Sequence, residues 1–455
     1  MEARLSNDVP GKQPTLAEWL AKDSRKAPPA YARRTEFDMG TDDLPVTRYT
    51  SREFHELEMK HMWSRVWQMA CHESNIPDAG DYITYEIGNR SWIVTRQKDG
   101  SIKAHVNACL HRGMQLAEGS GKLPALVCPF HGWSWNIDGT NRGVTERWDF
   151  PQLKDRDLCL PQAKVATWGG FVFINPDPEA QPFEEYIGDL DEHFASDPLE
   201  NRRVAVHVAR VTPANWKVAM EAFIESYHVS PTHPQAVPVS EYAETQYDIY
   251  NDNVSRLATI SIAPVNDALK AMSEQEFADF GAKSTGREPV QLKPGQTYRE
   301  ALADERRALV GAATGQSVDH LTDVEMLDAI EYFVFPNFMP WHGYGLQITY
   351  RFRPNGDDHE SCIMEVYFML PRNLSEPCPR AAETIWVQEG EKFADVEALG
   401  RVGPIFDQDW VNILGMAKGL RSTVKKGLWL SHYQEARIRH YHKRIDAFIA
   451  QGDPA

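Results

Sequence analysis

The sequence predicts an α+β chain: a small all-β module, then a larger domain in which an antiparallel sheet is flanked by helices. Three observations carry that prediction. Between residues 82 and 106, short runs alternate apolar and polar side chains and are separated by Gly88-Asn89 and Asp99-Gly100 turns, the pattern of hairpins. From about residue 180 the texture changes, and strand-like runs share the chain with longer helical ones. Two helical segments close the chain, and strands followed by flanking helices indicate α+β.

Residues 1–47 are polar and proline-rich (Pro10, Pro14, Pro28, Pro29, Pro45) and read as an arm that wraps over a neighbour. Thr50-x-x-Glu53 predicts a capping box ahead of a helix that buries Phe54, Leu57, Met62, Val66 and Trp67. Strands are expected at 82–87, 92–96, 102–106 and 170–174, which makes 48–180 the all-β module with its leading helix. In the second domain, 181–455, Val204, Val206 and Val208 alternate as a strand does, and 215–229 reads as a helix. The stretch 267–329 is charged and Ala-rich and predicts helices with loops. Strands are expected at 330–335, 346–352 and 362–370, with Pro354-Asn355-Gly356 turning the last pair, and helices at 407–420 and 432–450. No internal repeat is present.

Composition narrows the function. The 455 residues are 42% hydrophobic and 25% charged, as in ordinary globular proteins. A net charge of −17 argues against a nucleic-acid partner, which needs basic patches, and is compatible with a basic protein partner. Of six cysteines, only Cys109 and Cys128 sit in loops that also carry histidine, and a chain of this size has no need of disulfide staples. The sequence begins without a basic segment followed by an apolar run, and no stretch approaches eighteen continuous apolar residues. The expectation is a cytoplasmic protein with no membrane partner.

Two short loops carry metal-ligand chemistry. CLHRG holds Cys109 and His111, CPFHGW holds Cys128 and His131, and sixteen residues separate His111 from Cys128. Thiolates suit iron–sulfur chemistry, and two imidazoles in place of two cysteines on one iron give a Rieske [2Fe–2S] centre with a raised potential. Gly113 and Gly132 allow tight turns, and Pro129 stiffens the second loop. The competing reading is a Cys₂His₂ zinc site. Structural zinc usually takes two cysteines from one loop and two histidines from another, whereas each loop here is mixed.

A second constellation lies in NWKVAMEAFIESYHVSPTHP, residues 215–234. His228 and His233 are five apart, and Pro231 between them breaks the helix so that both turn toward one point. Two imidazoles and one carboxylate form the facial triad of non-haem Fe(II) oxygenases. The carboxylate must come from elsewhere. Glu225 lies three residues before His228, on the same helix face; Glu221 is either a support for the site or a buried, satisfied acid. Tyr227 and Trp216 read as packing first, and Asn215 as a support for the iron site. Phe223, Met220, Ile224, Phe338 and Trp341 are candidates both for a hydrophobic pocket and for core. Trp133 is a candidate for presenting the cluster to an electron donor. The remaining histidines, among them His55, His105 and His342, read as satisfied polar residues. No dinucleotide fingerprint follows a strand, so reducing equivalents must come from another protein.

With both motifs in this order, the chain resembles the large (α) subunits of Rieske non-haem iron oxygenases, the aromatic-ring-hydroxylating family, from about residue 48 to 445. The resemblance implies a catalytic domain of helix-grip type and a third iron ligand in a late acidic helix. Asp409 fits that position in Phe-Asp-Gln-Asp-Trp ahead of Gly419-Leu420, with Asp407 as the alternative. Leu414 and Ala417 depart from the family's usual Glu and Gln there. The resemblance also implies that Glu225, where most members carry Asp, links His228 to His131 of an adjacent chain, in an α₃ or α₃β₃ assembly. It implies a terminal oxygenase with a Rieske cluster and mononuclear Fe(II), fed by a reductase with or without a ferredoxin. O₂ and a small molecule are then its substrates, and the product is a dihydroxylated ring or a mono-oxygenated compound, an alkylamine included. A non-enzymatic electron carrier is the reading from another class, and it would not need residues 181–455.

Overall fold

The computed structural model describes residues 15–452 apart from 237, 239 and 241. The first module is built on a seven-stranded sheet. Its order is Gln68–His72, Phe171–Asn175, Gln162–Trp168, Ile102–Val106, Arg90–Arg96, Asp81–Ile87 and Ser120–Lys122. A three-stranded sheet, Leu126–Val127, Ser134–Trp135 and Asn141–Gly143, sits beside it and carries the second cysteine–histidine loop. The second domain holds an eight-stranded sheet in the order Gln246–Ile249, Val254–Thr259, Ala329–Val334, Phe338–His342, Ile348–Asn355, Asp358–Pro371, Arg202–Thr212 and Thr384–Trp386. All its pairings are antiparallel except that of Arg202–Thr212 with Thr384–Trp386. The α+β expectation holds.

Helices cover the face of this sheet that matters for the site. In Gly403–Ser422, Phe406 packs on Tyr350, with ring centroids 6.1 Å apart. In Ala436–Ala450, Tyr441 packs on Phe333 at 6.2 Å. The two domains share one unbroken core: Phe171 and Phe173 of the first module lie 4.8 Å and 5.1 Å from Phe338 of the second. Each such ring contributes about 1.5–3 kcal/mol on burial, enough in combination to hold the module against the sheet. A buried ion pair adds direction. Arg351 is held by Glu365 at 2.5 Å and 2.7 Å and donates to the Ala70 and Met69 carbonyls of the module at 2.5 Å and 3.1 Å.

Several local expectations are corrected. Ser51, not Thr50, caps the helix Arg52–Leu57, accepting from the Phe54 N–H, and Leu57 is 40% exposed. The arm packs on its own chain where it is described: Leu16 donates to the Gln246 side chain, Thr35 to Asp248, and the Tyr31 carbonyl accepts from Arg256. The first fourteen residues of the arm lie outside the described residues. Strands at Gln246–Ile249, Val254–Thr259 and Phe338–His342 had no counterpart in the sequence pattern, because they are buried on both faces and do not alternate. The expected helix over 215–229 ends at Glu221, as considered next.

Candidate functional site

The two cysteine–histidine loops close in the same way. The Cys109 N–H donates to the Met114 carbonyl (2.8 Å) and the Gly113 N–H to the Cys109 carbonyl (2.9 Å); Cys128, Trp133 and Gly132 repeat both bonds at 2.8 Å and 3.0 Å. Closing the chain this tightly puts Gly113 at φ +78° and Gly132 at φ +75°, where a side chain would be strained. The backbone N–H groups of His111 and Arg112 face Cys109, and those of Phe130 and His131 face Cys128. Burial raises the pKa of both thiols. At Cys128 the two N–H donors outweigh it and the net shift is downward, while Cys109, beside a second thiol, stays raised.

The spatial grouping separates the competing metals. The two thiols contact each other, and the His111 and His131 rings lie 4.7 Å apart. His111 Nδ1 is buried without a partner. A single zinc ion needs all four ligand atoms around one point at about 2.0–2.3 Å. Among the described residues, no three of these four bring ligand atoms within 4.8 Å of one another. Thiols on one side and imidazoles on the other fit a two-iron cluster. Trp133 does not present the cluster to a partner: it is buried, stacked under His111 at 5.0 Å. Phe130 is the exposed ring, lying against His131.

His228 and His233 flank a one-turn helix, Val229–Thr232, which contains Pro231 in its first turn, where a missing N–H costs nothing. The chain breaks earlier than expected, between Glu221 and His228. Beyond Glu221, tertiary partners take the backbone groups that a continuing helix would use, Arg437 the Ile224 carbonyl and Tyr247 the Ser226 N–H. The Glu225 side chain accepts the His228 N–H at 3.1 Å. Glu225 is therefore not on a shared helix face with His228. Its other oxygen sits 2.6 Å from His228 Nδ1, which leaves Nε2 facing inward. Gln408 does the same for His233, with Oε1 2.8 Å from Nδ1.

Asp409, buried on the helix Gly403–Ser422, completes the group. Its Oδ1 lies 2.9 Å from His233 Nε2 and 3.6 Å from His228 Nε2, yet makes no hydrogen bond. Among the described residues this is the one set of three such ligand atoms lying within 4.8 Å of one another. Three atoms converging without donor geometry are what a metal ion fills. Burial opposes charge on His233, but the Asp409 carboxylate outweighs it and raises the imidazole pKa. Asp407 is used elsewhere, accepting from the Phe393 and Ala394 N–H groups at 2.9 Å and 3.0 Å.

A cavity of about 280 Å³ opens beside this group, walled by apolar and aromatic side chains including Phe223, Leu257, Trp341, Ile348, Tyr350 and Phe406. Of the pocket candidates, Phe223 and Trp341 line it, while Met220, Ile224 and Phe338 are core. Trp216 is packed as expected, but Tyr227 is 61% exposed. Asn215 caps the helix Trp216–Glu221 instead of supporting the iron site. Glu221 is a buried, satisfied acid, bonded by Tyr49, Tyr441 and His442. His342 is buried with neither ring nitrogen partnered, contrary to expectation. Sequence reasoning missed Gln408; its position directly before Asp409 was the available signal.

Two family models match this chain: the ring-hydroxylating alpha subunit catalytic domain over residues 196–451 and the Rieske [2Fe–2S] domain over 66–153. The oxygenase subunit of carnitine monooxygenase from Acinetobacter pittii is 32% identical over 211 residues, 45% of this chain and 57% of its own length. The large subunit of anthranilate 1,2-dioxygenase from Acinetobacter baylyi is 34% identical over 204 residues, 43% of each chain. The chain thus spans about half the length of these curated relatives. A solved quaternary ammonium Rieske monooxygenase, described as giving insight into inter-subunit electron transfer, has the same fold. It shows 19% identity and a TM-score of 0.62 over 89% of this chain and 95% of the other.

Proposed function

The chain belongs to the ring-hydroxylating alpha-subunit family, and from that premise we propose that it is the terminal oxygenase of a multicomponent system. Its cofactors are a Rieske [2Fe–2S] cluster and a mononuclear iron. We assign Cys109, His111, Cys128 and His131 to the cluster, and His228, His233 and Asp409 to the iron. The single observation that carries the reading is the convergence of His228 Nε2, His233 Nε2 and Asp409 Oδ1 beside an apolar cavity. We also retain the division into an arm (1–47), a cluster module (48–180) and a catalytic domain (181–455).

When bound, the cluster supplies single electrons and the ferrous iron supplies open positions for O₂. The chain's own residues do the rest. Glu225 and Gln408 fix the tautomers and ring planes of His228 and His233 by holding each Nδ1. The aromatic wall excludes water and orients an apolar substrate. Glu225 would bridge His228 to His131 of an adjacent copy by hydrogen bonds, the link along which the two centres would be coupled, in a homotrimer or an α₃β₃ assembly. Half-buried His131 under exposed Phe130 supports this, because it leaves the cluster end at the surface. A separate reductase, with or without a ferredoxin, feeds the cluster.

The substrate class is an aromatic or other ring compound, hydroxylated or dihydroxylated. The match to carnitine monooxygenase favours a second reading, mono-oxygenation of an alkylamine. Among the described residues, no helix is long and apolar enough to cross a membrane, and the unpaired cysteines support a cytoplasmic location. The test is oxygen uptake and product analysis of the reconstituted enzyme with a surrogate reductase and a panel of ring compounds and alkylamines. Coupled O₂ uptake and product is the expected outcome. About two irons per chain and no product would identify an electron carrier instead.

A further inference from the structure

The two histidines of the iron site are held by groups of different kinds. Glu225 offers His228 Nδ1 a carboxylate, which when ionised accepts whichever way it is turned. Gln408 offers His233 Nδ1 an amide, an acceptor at one end and a donor at the other. Turned the wrong way, that amide donates to Nδ1 and leaves the ring proton on Nε2, the atom 2.9 Å from Asp409 Oδ1. A protonated Nε2 has no lone pair for a metal. Among the described residues, Gln408 Nε2 makes no hydrogen bond that would fix the amide from that end. The bonded end is Oε1. Gln235 Nε2 donates to it at 2.8 Å, and His233 Nδ1 lies 2.8 Å from the same atom.

We propose that Gln235 is a positioning residue for the iron, the outer end of a hydrogen-bond chain whose polarity decides whether His233 binds metal. The Gln235 amide turns as well, so the chain has two polarities. With Gln235 donating inward, Gln408 Oε1 accepts from both neighbours and His233 Nε2 presents its lone pair. With Gln235 accepting, Gln408 donates both ways and Nε2 carries the proton. Metal occupancy and inward donation therefore favour each other, and the coupling is reciprocal: whatever forces residue 235 to donate tightens the metal, and whatever forces it to accept loosens it. Gln235 follows His233 by two residues and is exposed where it lines the cavity, so its side chain can be changed without opening the core. Nor does it dock the His233 turn. Asn412 Nδ2 donates to Thr232 Oγ1 at 2.8 Å, and the His233 N–H to the Val229 carbonyl at 2.8 Å. The inference rests on the assignment of His233 and Asp409 as iron ligands.

Three substitutions test it, because polarity and charge predict opposite orders. Gln235→Lys only donates but adds a positive charge; Gln235→Glu, ionised, only accepts but adds a negative one; Gln235→Met does neither. The enzyme, freed of mononuclear iron by a chelator with its cluster intact, is titrated anaerobically with Fe(II) against a chromophoric competitor. Unchanged cluster absorption and melting temperature keep folding out of the comparison. The expected order of affinity is Lys above Met above Glu, with Lys and Glu at least tenfold apart, roughly the size of effect that supports of metal ligands have. Equal affinities, or the order that attraction of Fe(II) to charge alone gives, Glu above Met above Lys, overturn the proposal. So does any result in which Lys is no tighter than Met or Glu no weaker. Cutting the chain with Gln408→Leu should abolish the expected order, and its persistence there would show that residue 235 acts without Gln408. Asp409→Ala separates the two levels of failure. Fe(II) bound there as tightly as in the wild type refutes the ligand assignment and the chain with it. Weakened binding there, with the charge order at residue 235, refutes the chain alone.

Discussion

Cys109, His111, Cys128 and His131 come from two loops that repeat one pattern of backbone hydrogen bonds, each loop closed on itself. His228, His233 and Asp409 are drawn instead from a one-turn helix and from a second helix 176 residues beyond His233. The first set is held by local geometry and sits at the surface end of its module. The second is held by other side chains, Glu225 on His228 and Gln408 on His233, beneath an aromatic cavity. The contrast separates two tasks. A group that takes electrons from another protein needs access and a rigid local cage, whereas a group that meets substrate and O₂ needs a dry pocket assembled from distant elements.

If that contrast is right, the two sites fail independently. Asp409→Ala should abolish product and lower iron from about three per chain to about two, while the visible absorption of the cluster is unchanged. Iron analysis and absorption spectra on one preparation decide it. Loss of the cluster absorption in the variant would mean that the two regions are a single folding unit. Cys128→Ser should do the reverse, removing the cluster and keeping the mononuclear iron. Each variant is then inactive for a different reason. Co-assembled in one oligomer, the two should regain product well above either alone if Glu225 links the iron site to the cluster of an adjacent copy. Recovery no better than the separate variants would confine the electron path to one chain.

The same contrast explains what the sequence disclosed. CLHRG and CPFHGW are contiguous, so both cysteine–histidine loops were legible as tight turns, down to the two glycines whose positive φ the turns require. Asp409 lies in a helix with no local signature of metal binding. It was reached only through the family resemblance, and Asp407, two residues away, had to be separated from it by structure. The break before His228 was missed because the residues from Ala222 to Glu225 have ordinary helix-forming side chains. What occupies the backbone beyond the helix is a tertiary arrangement, Arg437 on the Ile224 carbonyl and Tyr247 on the Ser226 N–H. Three strands escaped for the complementary reason: buried on both faces, they carry no alternation to read.

Gln408 gives a finer break. Gln408→Leu removes the acceptor of His233 Nδ1 without touching a ligand atom. Loss of such a support typically weakens metal binding about 10- to 100-fold. Activity should fall at limiting Fe(II) and return when Fe(II) is added in excess, with cluster absorption unaffected. Activity that stays low at saturating iron would show that Gln408 does more than orient the ring.

The smallest effect is on stability, and it belongs to the catalytic half alone. Glu221 is fully enclosed; Tyr49 donates to it at 2.8 Å and 2.9 Å, Tyr441 donates as well, and His442 Nε2 lies 2.9 Å away. Burial pushes its pKa up to about 8, against the pull of the tyrosine hydroxyls. The unfolded chain releases this proton at the ordinary carboxyl value, so between pH about 4.5 and 8 the folded chain binds more protons than the unfolded one. Stability from this group is therefore complete below pH about 4.5 and is lost as pH rises toward 8. Glu331, whose pKa burial lifts to about 7, adds to the same slope, so the informative quantity is the difference between variant and wild type. Glu221→Gln should melt less steeply with pH, by a few degrees, roughly, across pH 5 to 8. Parallel melting curves for the two proteins over that range would show that Glu221 is ionised in the fold, with His442 protonated as its counter-charge.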